Sequence, residues 1–341
     1  MSTDYLKLNK YIQSGDAIGC FLTNNTDERY TKAYPKISSK DVINLASQYS
    51  LDDYCQIKTK IKNHFKIKTK IVLGSGSEEL IIRLNDIVES KKYKIAFVTP
   101  LFYRVRETFH GEKFCIEEKD LFNFNFNNYD VVWLQNPNLF SGIIYSFEKI
   151  QNLLHKFPKV IFFIDEAGIF TLSNWREYSM VDKCGLHDNA VILSTFSKIY
   201  GVPGLRIGFA SGNNKLLSIL EEKNLTFPIS SFAEYCLSNI LDHEDLINKL
   251  RLKIIDHKNQ LIGILKLNSQ IVIKESLTNC LFFKHKNKKI YNFLYKEGLL
   301  CLDLDEDKEL KDRGYVRMTV HSSEAVHRKV LIKLKKVILN I

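Results

Sequence analysis

The chain has 341 residues, 45% hydrophobic and 26% charged, with a formal charge of +10; this is enough for one or two domains with a large core and is ordinary for a globular enzyme. No apolar run reaches membrane-spanning length and Met1–Lys10 is too polar for a signal peptide, so no membrane association and a cytoplasmic location are expected. The lysines are dispersed among apolar residues without a nucleic-acid motif, and the seven cysteines show neither a C-x-x-C pair nor zinc spacing, so anionic small molecules, free thiols and no metal are expected, with no nucleic-acid partner.

Met1 to Lys40 is irregular and polar, and Val42 to Tyr49 predicts a short helix. Asp53 to Lys66 predicts an amphipathic helix with Ile57, Ile61 and Phe65 on one face. Lys70 to Leu73 follows as a short strand, then a helix over Ser77 to Ser90 opened by Gly74-Ser75-Gly76. Lys94 to Val98 and Lys113 to Glu117 predict strands flanking a helix around Val105. Val131 to Leu134, Val160 to Ile164, Ala190 to Leu193 and Arg206 to Ala210 are further strands, several apolar without alternation. Strands buried on both faces have that pattern, and they imply a mainly parallel sheet covered by helices. After Lys215 the pattern changes to helices over Leu216 to Glu222, Phe232 to Leu241 and Leu246 to Leu267. Strands over Cys280 to Lys284, Leu299 to Leu302 and Tyr315 to Val320, with helices over Ile290 to Glu297 and Glu324 to Leu339, complete an α+β terminal domain. The expected division is an N-terminal segment (1–48), a large domain (49–225) and a small domain (226–341).

Four segments carry chemistry. After the apolar strand Ala190 to Leu193 come a hydroxyl-rich turn, one lysine, and a Gly/Pro-rich loop reaching an arginine: Ser194-Thr195-Phe196-Ser197-Lys198 through Arg206. A lysine held there can form a Schiff base with a carbonyl cofactor while Thr195, Ser197 and Arg206 bind a phosphate. Asp165 ends a strongly apolar strand, where ligands sit in parallel sheets. Gly74-Ser75-Gly76-Ser77 precedes a helix and can expose backbone N–H groups to an anion. Arg317 lies on the strand Tyr315 to Val320, and a guanidinium fits a carboxylate by two parallel bonds.

Together these segments resemble pyridoxal-phosphate (PLP) enzymes of fold type I, the class I/II aminotransferases, with the nearest likeness to histidinol-phosphate aminotransferase and threonine-phosphate decarboxylase. The resemblance implies a large domain with a mainly parallel seven-stranded sheet, a smaller α+β C-terminal domain, pyridoxal 5'-phosphate as cofactor, and a homodimer. It implies that Lys198 is the Schiff-base lysine and Asp165 the partner of the ring nitrogen. Gly76, Ser77, Thr195, Ser197 and Arg206 would hold the phosphate, joined by Tyr49 from the partner subunit. Phe102, in Thr99-Pro100-Leu101-Phe102-Tyr103, takes the ring-stacking position, and Arg317 that of the substrate-carboxylate site, with His321 near the substrate. The segment Asn136-Pro137-Asn138-Leu139-Phe140-Ser141-Gly142 resembles the family's Asn-Pro-Asn-Asn-Pro-Thr-Gly. The asparagine that bonds the cofactor's O3' is Leu139 here, which cannot donate, and Asn138 or Gln135 is its possible substitute. Gly168 stands where the family has an aromatic ring after Asp-Glu-Ala.

The expected activity is transfer of an amino group between an amino-acid donor and a small phosphorylated carbonyl acceptor. The alternatives are decarboxylation of an O-phospho-amino acid of the threonine- or serine-phosphate type and a non-catalytic protein of the same fold.

Overall fold

In the computed structural model the described residues are 17–20, 37–50, 53–223, 225–306 and 314–341. Most of the expected N-terminal segment therefore lies outside the described residues. In chain order the strands are β1 (Ile18–Gly19), β2 (Ile71–Ser75), β3 (Ile95–Thr99), β4 (Phe114–Glu117), β5 (Val131–Gln135), β6 (Ile161–Asp165), β7 (Ala190–Thr195), β8 (Ile207–Gly212), β9 (Ile271–Lys274), β10 (Cys280–His285), β11 (Leu299–Leu300), β12 (Leu302–Asp303) and β13 (Val316–Thr319). The helices are α1 (Ser39–Ala46), α2 (Cys55–Phe65), α3 (Gly76–Ser90), α4 (Tyr103–Glu107), α5 (Phe147–Lys156), α6 (Asn214–Glu222), α7 (Ser231–Leu241), α8 (Glu244–Leu265), α9 (Ile290–Lys296) and α10 (Glu324–Asn340).

The large sheet has seven strands in the order β2-β8-β7-β6-β5-β3-β4. All are mutually parallel except β8, which runs antiparallel to both β2 and β7. The unbroken apolar runs have a simple cause. Along β5, Val132 and Leu134 enter one core with Phe162 and Phe65, while Val131 and Trp133 enter the other with Phe97 and Leu84. Each face is covered, so a polar residue has a place only at the strand ends. The parallel register then sets Gln135, at the end of β5, directly beside Asp165, at the end of β6. Thr195 ends the neighbouring β7.

The smaller sheet is antiparallel in the order β12-β13-β10-β9, and β1 pairs in parallel with β11. The expected single strand over Leu299 to Leu302 is split at Cys301, because its first half pairs with β1 and its second with β13. Helix α5 and strand β9 are additional to the sequence expectation. Helix α1 starts earlier than expected because Ser38 caps it. Its hydroxyl accepts from the Asp41 N–H at 3.1 Å while the Asp41 carboxylate accepts from the Ser38 N–H at 3.2 Å. The stretch leading into α7 is tied to the beginning of the large domain through Tyr54 Oη, which donates to the Ile229 carbonyl at 2.9 Å.

Candidate active site

The lysine turn is organised by its own hydroxyls. Thr195 Oγ1 donates to the Ile207 carbonyl at 3.2 Å and lies 3.0 Å from Ser197 Oγ, and the Ser197 N–H donates back to Thr195 Oγ1 at 3.2 Å. These contacts fix where Lys198 leaves the chain. Arg206 re-enters the sheet from a left-handed residue, φ 52°, and its carbonyl accepts from the Gly76 N–H at 3.0 Å. Its guanidinium lies across the Cα of Gly76, whose φ is +74°; a Cβ there would sit 2.5 Å from Nη2. The backbone angle therefore favours glycine, and a side chain there would push the Arg206 tip away from this position. The result joins the N-terminus of α3, Ser77, Thr195, Ser197 and Arg206 in one concave wall, whose helix end, hydroxyls and guanidinium are donors of the kind an anion takes.

That wall belongs to a cavity of about 340 Å³ whose lining also includes Phe102, Gln135, Leu139, Asp165, Lys198 and Arg317. Burial pulls the Lys198 amine down to about 8, with the Arg317 charge acting in the same direction and Asp165 opposing. At that value a useful fraction is neutral near physiological pH and can act as a nucleophile. Asp165 is 2% exposed. Burial pushes its carboxyl up to about 6, against the Ala167 N–H, which donates to Oδ1, and the charge of Lys198. Its other oxygen accepts from Gln135 Nε2 at 3.2 Å.

Arg317 is buried on β13, facing the cavity from the small sheet. Its Nη1 donates to the Leu139 carbonyl at 2.9 Å and its guanidinium carbon lies 5.6 Å from the centre of the Phe140 ring. Leu139 and Gly168 explain one another. A Cβ on Gly168 would meet Leu139 Cδ2 at 2.8 Å and Pro137 Cγ at 3.1 Å. The leucine fills the space that a side chain at 168 would need, so this side of the cavity is apolar.

Of the sequence candidates, Ser77, Phe102, Asp165, Thr195, Ser197, Lys198, Arg206 and Arg317 line the cavity, as do Leu139 at the substituted position and its candidate substitute Gln135, while Gly76 lies beside it against the Arg206 guanidinium. Asn138 is not among its lining residues. Its amide donates to the Pro100 carbonyl at 2.7 Å and accepts from the N–H groups of Phe140 and Ser141 at 2.9 and 3.1 Å, so it is spent on turning its own loop and tying it to the segment after β3. His321 is also outside, with Nε2 2.9 Å from the Gly19 carbonyl. Tyr49 is 69% exposed and stacks on Phe227 with ring centroids 4.0 Å apart. Gln135 carries more than its sequence suggested; its signal is a polar residue closing an otherwise apolar strand.

Comparison with known proteins decides the family. Residues 20–331 match the model of aminotransferase class I and II. The chain belongs to that family. A histidinol-phosphate aminotransferase from Brachyspira hyodysenteriae is 28% identical over 286 residues, covering 79% of this chain and 78% of the relative. Among solved structures, histidinol-phosphate aminotransferase from Clostridium acetobutylicum superposes with a TM-score of 0.81 at 22% identity, covering 95% of this chain and all of the other. L-threonine-O-3-phosphate decarboxylase from Porphyromonas gingivalis gives 0.77 at 19% identity, covering 94% and 98%. The protein is a PLP-dependent aminotransferase of fold type I. The cavity fits that cofactor: an amine of lowered pKa, a buried carboxylate, an aromatic ring and a phosphate-shaped cradle in which no Cβ fits at Gly76 share one space. Among the described residues no helix is long and apolar enough to cross a membrane.

Proposed function

We propose that this aminotransferase moves an amino group between an amino-acid donor and a small phosphorylated carbonyl acceptor, with Lys198 as the cofactor-bearing and proton-carrying residue. The observation that carries this reading is the position of the Lys198 amine in one cavity between two guanidinium groups, Arg206 on the phosphate wall and Arg317 on the small-sheet wall. Bound PLP supplies an electron sink that makes the donor's Cα–H acidic. The chain's own residues do the rest. Ser77, Thr195, Ser197 and Arg206 hold the phosphate, and Gly76 lets Arg206 lie close to the helix end. Asp165 holds a proton at the ring nitrogen, Phe102 packs on the ring, and Arg317 orients the donor's carboxylate by charge and geometry. Lys198 Nζ, with its lowered pKa, takes and returns the Cα proton.

The excess of positive charge supports an anionic acceptor, and the relatives named for histidinol phosphate and threonine phosphate support a phosphorylated one. A second copy is the proposed partner. Helix α1 buries none of its residues, and Ile43, Tyr49, Leu225 and Phe227 leave an apolar patch beside it that an identical subunit can cover, with Tyr49 reaching its neighbour's phosphate site.

The test is a half-reaction. The purified protein should carry a visible cofactor band, and L-glutamate without an acceptor should bleach it. Carbon dioxide release without bleaching replaces transamination by decarboxylation, and a protein that never holds the band is not an enzyme of either kind.

A further inference from the structure

Gln135 is 5% exposed and closes a strand whose other residues, Val131 to Leu134, are all buried and apolar. Its Nε2 donates to Asp165 Oδ2 at 3.2 Å, while its Oε1 is buried with no hydrogen-bond partner among the described residues. A half-satisfied buried amide is a poor choice for a core, because the unpaired oxygen has left water without compensation. Leucine or methionine would fill the same volume without that cost. The residue's one completed contact is with Asp165. Turning the amide over would bring Oε1 against the carboxylate, so an ionised Asp165 favours Nε2 as the facing group.

We infer that Gln135 is a positioning residue that keeps Asp165 charged and aimed, and so keeps the proton on the cofactor's ring nitrogen. This rests on the proposed reading of Asp165 as the ring-nitrogen partner. Against the burial that opposes it, the charged carboxylate is favoured by the Ala167 N–H at 3.0 Å and the Lys198 ammonium. By geometry the Gln135 amide N–H, with Nε2 3.2 Å from Oδ2, faces it as a further donor. The pull of the ammonium is lost whenever the Lys198 nitrogen is neutral. The two N–H groups are neutral donors built into the strand ends, and they persist in every state. Without the Gln135 N–H the carboxylate would be more basic and would compete more strongly for a proton at the ring nitrogen. The cofactor ring would then withdraw electrons less strongly.

The experiment uses the holoenzyme reconstituted with PLP labelled with ¹⁵N in the ring. The ring-nitrogen chemical shift and the thermal midpoint are read for the wild type, Gln135→Leu, Gln135→Met and Asp165→Asn. In both Gln135 variants the signal should move from the protonated toward the unprotonated value, with the thermal midpoint equal to or above wild type. The turnover number should fall roughly tenfold, as for loss of one hydrogen bond to a charged group, with KM for the donor little changed. A lowered midpoint with a wild-type nitrogen signal would make Gln135 a merely structural residue and overturn the inference. Misfolding of both variants would overturn it too, since the residue is argued to be dispensable to the core. Asp165→Asn separates the two claims. If it moves the signal and the Gln135 variants do not, only Gln135 is misassigned; if it leaves the signal in place, the reading of Asp165 itself fails.

Discussion

Gly168→Ala is a one-carbon change with an outcome that depends on a single neighbour. Its Cβ would lie 2.8 Å from Leu139 Cδ2, 3.1 Å from Pro137 Cγ and 3.2 Å from Leu139 Cγ. Leu139 is 6% exposed, so it has little room to retreat. Overpacking of this kind costs ~1–3 kcal/mol. At roughly 2–4 °C per kcal/mol for a unit of this size, the thermal midpoint should fall by about 2–12 °C. Leu139→Ala alone should cost ~2–5 kcal/mol through the cavity it leaves. The informative protein is the double variant. In the Leu139→Ala background the new methyl at 168 loses both leucine contacts, keeps only the 3.1 Å approach to Pro137 Cγ and partly refills the vacated space, so Gly168→Ala should cost far less than in the wild type or stabilise. The coupling between the sites should be ~1–3 kcal/mol, far above the few tenths of independent positions. The assay is a double-mutant cycle of urea midpoints on cofactor-free protein, which keeps PLP affinity out of the comparison. Equal cost of Gly168→Ala in both backgrounds would refute the claim that the two residues exchange one volume.

The other expectations concern ionisation and assembly. Loading of PLP onto cofactor-free protein needs the neutral Lys198 amine, so its rate should climb with pH and level off above about 8, and borohydride trapping should then place the label on Lys198; a flat profile between about pH 6 and 9, or label elsewhere, rejects the assignment. A non-reactive dicarboxylate that neutralises Arg317 should move the rising limb of that profile to higher pH, and an unmoved limb would mean that Arg317 does not govern the amine. Burial pushes the Glu166 carboxyl up to about 8 despite hydrogen bonds from Ser179 and the Met180 N–H. The native state therefore holds a proton that the unfolded chain has lost above about pH 4.5, and stability should fall as pH rises from there to about 8, by at most ~1.4 kcal/mol per unit. Glu166→Gln should flatten that decline in urea titrations, and an unchanged slope would assign the titration elsewhere. Mixing Lys198→Ala with Tyr49→Phe chains, each first shown to be impaired, should restore activity through heterodimers, whereas failure to restore it or an active monomer would sink the shared site.

The candidate site was legible where a residue's arrival at the cavity follows from its place along the chain. Asp165 and Lys198 stand at or just after the ends of apolar strands, and a strand buried on both faces has no other position for a charge. Gly76 and Ser77 precede a long amphipathic helix, and Arg206 closes the loop after the lysine. The large sheet followed from the same unbroken apolar runs, although its one reversed strand did not, because hydrophobic pattern carries no strand direction. What stayed hidden depends on contacts between distant segments. Leu139 and Gly168 each look like a lost function until the packing shows that one occupies the other's space. Asn138 matches the motif in sequence, yet its three hydrogen bonds organise the loop. His321 is held by Gly19 from the other end of the chain, a pairing made only when β1 joins β11.

The arrangement of charge also orders the chemistry. Burial is the largest influence depressing Lys198, and Arg317 is the next, ahead of the opposing pull of Asp165. An amine held low is a good nucleophile toward a carbonyl but a weak base. In the proposed reading, arrival of the donor places a carboxylate on Arg317 and cancels much of that guanidinium's field at Nζ. The amine then becomes more basic at the moment when it must take a proton from Cα. The phosphate on the Arg206 wall acts in the same sense, since Arg206 also depresses Lys198, though it ranks behind Arg317. Leu139 and Gly168 put only side-chain carbon between them, and the Leu139 carbonyl already accepts from Arg317 Nη1 at 2.9 Å, a bond that a donor carboxylate on Arg317 would have to share. In the proposed reading the charges around Lys198, Arg317 buried and Arg206 exposed, thus change the lysine's strength as each anionic group binds.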